Sequence, residues 1–428
     1  MTIGFFIDEF LPKLNGSITS TIAYKQALEK LGHTVYIVAP AEPGYKDLDT
    51  SVVRVPSFDP KILKNTARMA LLYPGLARKI AKYKFDVVHS QTQFGLGILA
   101  HETAKILKVP HISTMHTIYA ELMDEYARDV YIGVAVVSVV YPIYFRTMPK
   151  FDWRMGEGND ERMRIKDQAW RAGNVFLNST DGVVAPSGHI AEYLKKYGLT
   201  QKCYVLPNGV DVKELQQQGK AALPKDIPPK GKDFWLICVS RLSPEKRQRA
   251  LIDAMAQVKD KRVKLVLVSP GPSEEELRER IAELGLGDRV YMLGRRENSV
   301  VNAIMSRGDL FALASYRFDN QPMVILEALA AGLPLLYCDD HLKEGFTKKN
   351  AYLTKSPSPE DFAVAIDQLV KDTKRLKTMS EASLALSAEF DINILAKKLE
   401  TIYTKTIAAK AKAGSKQRPF LHRILRRK

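Results

Sequence analysis

Two pairs of charged residues stand where chemistry would need them. Arg241 and Lys246, with four residues between them, follow the apolar run FWLICV (234–239). Arg offers a planar fork and Lys a point charge, and together they could clamp a diphosphate. Asp319 and Glu327, with seven residues between them, lie in DNQPMVILEALAAG. That stretch reads as a loop turning into a helix. Pro322 suits a first helical position, where a missing N–H costs nothing, and Gly332 with Pro334 suits the far end. Flanked by the strand-like runs DLFAL (309–313) and PLLYC (334–338), it forms a strand–loop–helix–strand unit. The N–H groups at its helix start, near Met323 and Val324, make an anion site. Glu327 falls inside the helix, where an acid is either on the solvated face or holding something. His116 directly follows the run HISTM, and the ligand sites of open α/β sheets lie beyond the carboxyl ends of strands. Gly16, in the first loop, would let the backbone approach a phosphate; a plain turn is the simpler reading.

The elements that must position these residues belong to a parallel α/β fold. IGFFI (3–7), TVYIV (34–38), SVVRV (51–55), DVVHS (86–90) and GVVAP (182–186) read as strands, and 18–30 as a helix with Ile18, Ile22, Ala23 and Leu28 on its apolar side. A second series begins at FWLICV and continues through KLVLVSPGP (264–272) and RVYMLGRREN (289–298). No GxGxxG is present, so a nicotinamide cofactor has no fingerprint here. The Asp-x-Asp at 47–49 could suggest a metal site but sits in a polar loop and reads as turn chemistry. Cys203, Cys238 and Cys338 are odd in number and set in apolar runs, as inert thiols of a reducing compartment would be.

The acid, seven residues, Glu, then Ala-Leu-Ala-Ala-Gly-Leu-Pro resembles the signature of the family-four retaining glycosyltransferases. The resemblance implies two Rossmann-like domains facing across a cleft (GT-B type). It also implies a helix start facing the donor sugar and diphosphate, and Glu327 on the ribose hydroxyls. Asp319 stands where most members carry Glu, and Asn320-Gln321-Pro322 stands where Gly-Phe-Gly or Thr-Gln-Gly is commoner. Arg241-x4-Lys246 matches the family's phosphate pair, His116 a histidine that bonds the donor sugar, and Arg295 with its neighbours a segment that holds the base. NGSITS, LEKLGHTVYIV, VVHSQTQFGLG and STMHTIY resemble the subgroup that glucosylates diacylglycerol. In this reading His116, Asp319, Arg241 and Lys246 serve catalysis. Gly16, Arg241, Lys246, Arg295, Asn320, Gln321, Met323, Val324 and Glu327 bind the nucleotide sugar. No metal and no cofactor is needed beyond the donor substrate, UDP-glucose. Asp8 and His116 face the acceptor, and the leaving phosphate takes the acceptor proton.

Length and charge add the setting. The 428 residues suffice for two domains, expected at 1–205 (acceptor side) and 206–390 (nucleotide sugar). A helix at 391–414 returns to the first domain, and a basic amphipathic tail occupies 415–428. Net charge is +16, and nine Lys/Arg with no acid fall in residues 405–428. Residues 60–85 hold seven Lys/Arg and no acid among apolar side chains. Both stretches suit an anionic membrane surface, and 127–172 suits an acceptor- or membrane-facing insertion. No signal peptide or confident membrane span is read. The expected protein is a hexosyltransferase acting on a membrane lipid such as diacylglycerol, peripheral on the cytoplasmic face. The rivals are the same fold acting on a soluble sugar or cell-wall glycan, a nucleotide-sugar epimerase, and a basic nucleic-acid-binding protein. The last lacks aromatic-interleaved basic strands, so nucleic acid is not an expected partner.

Overall fold

Short, continuously apolar runs are the pattern of parallel strands covered on both faces, and they build two sheets here. The computed structural model describes residues 1–59, 68–116, 140–146 and 161–425, the side chains of 161–166 and 414–425 excepted. It divides into two compact units, Met1–Pro207 with Asn393–Lys428, and Asn208–Ile392.

The first unit holds a sheet of β1 (Thr2–Phe6), β2 (Thr34–Pro40), β3 (Val52–Val55), β6 (Val87–Ser90), β7 (His111–Thr114), β8 (Gly182–Ala185) and β9 (Cys203–Val205). Its order is β3-β2-β1-β6-β7-β8-β9. Chain direction across the sheet reverses between β1 and β6, so the loops after these strands flank a switch point. The helix Gly16–Lys30 follows β1, with the Asn15 side chain accepting from the Ile18 N–H. Its buried side differs from the one expected. Ile18 and Leu28 are buried, but so are Thr21, Tyr24 and Lys25, while Ile22 and Ala23 are only partly covered. Partners make this tolerable: Tyr24 Oη donates to the Pro207 carbonyl at 2.7 Å, and Lys25 meets Glu29 and Asp49 at 2.6 and 2.9 Å.

The C-terminal helix Ile392–Leu425 is tied to this unit by polar contacts. Its Tyr403 hydroxyl lies 2.6 Å from His89 Nδ1, and His89 Nε2 lies 2.7 Å from Thr114 Oγ1. Burial pushes His89 down to about 3, so the ring is neutral and gives one nitrogen to each neighbour. Glu400 meets His33 at 2.9 Å, and Lys410 meets Asp181 at 2.7 Å. Tyr403→Phe would leave a buried imidazole nitrogen unpaired. The expected cost is about 1–3 kcal/mol of stability, measured by urea unfolding, and no loss would show the contact to be idle.

The second unit holds β10 (Phe234–Val239), β11 (Val263–Val268), β12 (Val290–Met292), β13 (Leu310–Leu313), β14 (Leu335–Tyr337) and β15 (Ala351–Leu353), in the order β12-β11-β10-β13-β14-β15. Each strand feeds two cores. Leu236, Cys238, Leu310 and Ala312 pack into one helix layer, and Trp235, Ile237, Phe311 and Leu313 into the other. The reversal here falls between β10 and β13, which pair in parallel through Leu236–Leu310 and Ile237–Phe311.

Residues 60–85, where they are described, form short separate elements. Met69–Ala70 forms β5, pairing antiparallel with β4 (Ser57–Phe58), and a short helix covers Leu76–Ile80. Pro74 and a left-handed Gly75 (φ 92°) separate the two. Residues 60–67, most of the expected insertion at 127–172, and the side chains of the basic tail lie outside the described residues. Among the described residues no helix is long and apolar enough to cross a membrane. All three cysteines are free, Cys203 only partly buried. Burial raises their thiols to about 11, 11 and 12, which makes them inert at neutral pH.

Candidate active site

The reversal of strand order at β10 and β13 brings together the loops that carry the two charged pairs. Lys246 Nζ lies 2.5 Å from Asp319 Oδ1, and Ser315 Oγ donates to Asp319 Oδ2 at 2.5 Å. The ammonium also sits 5.0 Å from the centre of the Phe318 ring. Arg241, on the same loop as Lys246, is exposed. One cation is thus held by the acid of the neighbouring loop, and the other is presented to solvent.

The loop after β10 is braced by residues that the sequence did not single out. Gln248 Nε2 donates to Ser240 Oγ and to the Arg241 carbonyl, both at 2.7 Å. Arg247, in a left-handed conformation (φ 54°), donates to the carbonyls of Ala314 at 3.2 Å and Pro357 at 2.7 Å. It therefore ties the β10 loop to the β13 loop. Beyond β14, Arg317 pairs with Asp339 and Asp340 and touches His341, so that acidic cluster already contains a cation.

The helix after β13 runs Met323–Ala330, with Pro322 as its cap rather than its first turn. The reason is local: Pro322 has ψ 125°, still extended. No side chain caps this helix start, which leaves its first N–H groups to water or a ligand. Glu327 stands within the helix, partly exposed, yet burial of its carboxyl pushes it up to about 7. Asn320 and Gln321 are buried, 9% and 6% exposed. Arg295 is exposed after β12, two strands from β10. Its neighbour Arg296 is paired with Asp226 at 2.6 Å, and Glu297 caps the helix Asn298–Met305 through its backbone.

In the first unit, His116 follows β7 and lies 2.8 Å from Gln91 Oε1, at the end of β6. Burial pushes the imidazole down to about 4, so at neutral pH it is a neutral hydrogen-bonding group. Gly16 is the first helical residue rather than a loop residue, and is exposed. Asp8 is bonded within its own unit. Its carboxylate accepts from the Leu96 N–H at 2.8 Å and from Thr92 Oγ1 at 2.5 Å, which caps the helix Gly95–Leu107. Asp47 and Asp49 are also committed: Asp47 grips Arg54 at 2.8 Å, and Asp49 meets Lys25 and Ser51.

Comparison with known proteins decides the family. The description "Glycosyltransferase Family 4" matches residues 14–214, and "Glycosyl transferases group 1" matches 219–385. The chain belongs to glycosyltransferase family 4. Among its curated relatives is the alpha-monoglucosyldiacylglycerol synthase of Streptococcus pneumoniae, 28% identical over 91% of this chain and 83% of the relative. The enzyme of that name from Acholeplasma laidlawii is 24% identical over 95% and 98%. The solved structure of Anabaena Alr3699/HepE in complex with UDP-glucose superposes with a TM-score of 0.67 at 20% identity, covering 95% of this chain and 100% of that one. Likeness at that identity concerns the fold, which for this family-4 glycosyltransferase is two Rossmann-like domains of the GT-B type.

Proposed function

We propose that this glycosyltransferase moves glucose from UDP-glucose to the free hydroxyl of diacylglycerol, with retention at the anomeric carbon. The observation that carries the transfer reaction is the Lys246–Asp319 contact at the β10/β13 switch point, with Arg241 exposed on the same loop as Lys246. Sugar transfer requires a departing diphosphate to be stabilised while an electron-poor anomeric carbon is held beside the acceptor. Arg241 and Lys246 supply positive charge, and the uncapped helix start at Met323 and Val324 supplies N–H donors. The glycosidic C–O bond to the diphosphate breaks, and the bond to the acceptor oxygen forms on the same face. The acceptor proton passes to the leaving phosphate oxygen, so neither a covalent nucleophile nor a metal is invoked. Glu327 holds the ribose hydroxyls, and His116 meets the sugar as a neutral imidazole.

The lipid acceptor is supported by the two synthases to which almost the whole chain is similar. A surface feature supports it too. Phe58, Met69, Leu71, Leu72 and Tyr73, around the β4–β5 pair, are 39–49% exposed, and the exposed Arg78 and Lys79 follow on the helix Leu76–Ile80. Apolar side chains beside cations suit the face of an anionic bilayer, here the cytoplasmic one. A second reading draws on a relative named GDP-mannose-dependent alpha-mannosyltransferase, 23% identical over 78% of this chain. It would change the donor and leave the site unchanged. The test is a panel of labelled UDP- and GDP-sugars offered with diacylglycerol vesicles or soluble sugars. Label from UDP-glucose in an α-linked lipid, identified by NMR, is expected. Label only in a soluble glycan would replace the lipid reading, and a β-linkage would remove retention.

A further inference from the structure

The loop that carries Arg241 and Lys246 is seated on another loop, the one after β11, and a glycine makes the seat. The Leu242 N–H donates to the Pro270 carbonyl at 3.2 Å, and the Leu242 carbonyl accepts from the Ser273 N–H at 3.0 Å. These two bonds hold the Leu242 backbone against Gly271. A Cβ on Gly271 would stand 2.1 Å from the Leu242 oxygen, 2.4 Å from its nitrogen and 2.5 Å from its carbonyl carbon. All three are backbone atoms, which cannot swing aside as the end of a side chain can. The φ of Gly271 lies outside the left-handed region, so the requirement here is a missing side chain rather than backbone freedom. Ser269, two residues earlier, holds φ 124°, a conformation that residues with a Cβ rarely adopt. Its N–H donates to the Gly294 carbonyl after β12 at 3.0 Å. The 269–273 backbone is therefore bonded on one side to the β12 loop and on the other to the β10 loop.

What Gly271 touches gives it a role beyond packing. Leu242 directly follows Arg241 and stands four residues before Lys246. A shift of its backbone carries both cations with it, because Leu242 is buried and its loop is short. We propose that Gly271 is a positioning residue for the transfer reaction. By admitting the Leu242 backbone where a side chain would stand, it sets the height of Arg241 and Lys246 against the leaving diphosphate. Gly271 itself touches no reacting atom. This inference rests on the diphosphate reading above and deepens it. The loops after β11 and β12 join the braces from Arg247 and Gln248 in fixing where the two charges stand.

The test is a double-mutant cycle on full-length protein, read by single-turnover transfer from labelled UDP-glucose. Gly271→Ala must push the Leu242 backbone aside, and is expected to slow transfer roughly 10²-fold, as a misplaced catalytic group does. In a Lys246→Ala background the same substitution is expected to cost at most about tenfold, since Arg241 alone of the pair remains to be misplaced. A purely structural glycine would give the full loss in both backgrounds, and that result overturns the inference. So does a folded Gly271→Ala protein with wild-type transfer. Should Gly271→Ala fail to fold, amide exchange of the wild type decides. Saturating UDP is expected to slow exchange at least about threefold both in 240–246 and in 269–277, because a ligand held by the first loop steadies the second. Slowing in 240–246 alone overturns the inference. A Lys246→Ala enzyme that transfers as fast as wild type, or a wild type that binds no UDP, would instead sink the diphosphate reading beneath it.

Discussion

Replacing Lys246 by alanine is expected to lower kcat/KM by roughly 10² to 10³, the range for removing one preorganised donor from a developing oxyanion. The fold should barely notice. Lys246 and Asp319 are both partly solvated, with side chains 19% and 11% exposed, and ion pairs near the surface contribute little to stability. Two effects add in the variant. The leaving diphosphate loses its point charge, and among the described residues Asp319 keeps only Ser315 as a partner, so an uncompensated carboxylate faces an anion. Arg241→Ala is expected to lose less, roughly 10², because its guanidinium is exposed and its charge is screened by solvent. Single-turnover kinetics with the unfolding midpoint as control would check both. A Lys246→Ala enzyme with wild-type turnover would remove the phosphate clamp from the account.

Glu327 gives the second large effect. In the donor-free protein its carboxyl is pushed up to about 7 by burial, above the ordinary value of a glutamate. A carboxylate accepting from two ribose hydroxyls must be ionised, so donor binding competes with its proton. The sign follows: affinity rises with pH until the carboxyl is ionised, and falls as pH drops through the raised pKa. Between pH 8 and pH 6 the ionised fraction changes from about nine-tenths to about one-tenth, and the donor dissociation constant should rise roughly tenfold. The second relevant titration is shut out by the choice of ligand, because a diphosphate diester such as UDP-glucose stays fully ionised across this window. Glu327→Gln should bind the donor roughly ten- to a hundredfold more weakly at pH 8, with the pH dependence flattened. A wild-type affinity independent of pH over this range would mean that Glu327 is not ionised against the ligand.

How much of this was legible in the residues depended on how local the signal was. Arg241-x4-Lys246 and Asp319-x7-Glu327 are short spacings after apolar runs, and their loops fall where strand ends put them. The contact between the pairs was not legible. Lys246 and Asp319 are 73 positions apart, and only the pairing of β10 with β13 makes them neighbours. Arg247 and Gln248 were missed because they act through carbonyls of the Ala314 and Pro357 loops and of their own loop, which leave no compositional trace. The partners of Asp8 were not legible either, because the Leu96 N–H and the Thr92 hydroxyl lie 88 and 84 positions away. The apolar face of the first helix was misread where Lys25 is buried, since its desolvation is offset by Glu29 one turn on and by Asp49 from outside the helix. The composition of 60–85 marked a basic, partly apolar segment but not its folding into a strand and a short helix divided by Pro74 and Gly75 in its described part.

The most direct test is transfer itself. Purified full-length protein is incubated with UDP-[¹⁴C]glucose and vesicles of diacylglycerol in anionic phospholipid, and the organic phase is counted. Wild type is expected to place label in a glucosylated lipid, and Lys246→Ala to place almost none. No labelled lipid from wild type, or equal label from the two proteins, would contradict the account at its centre.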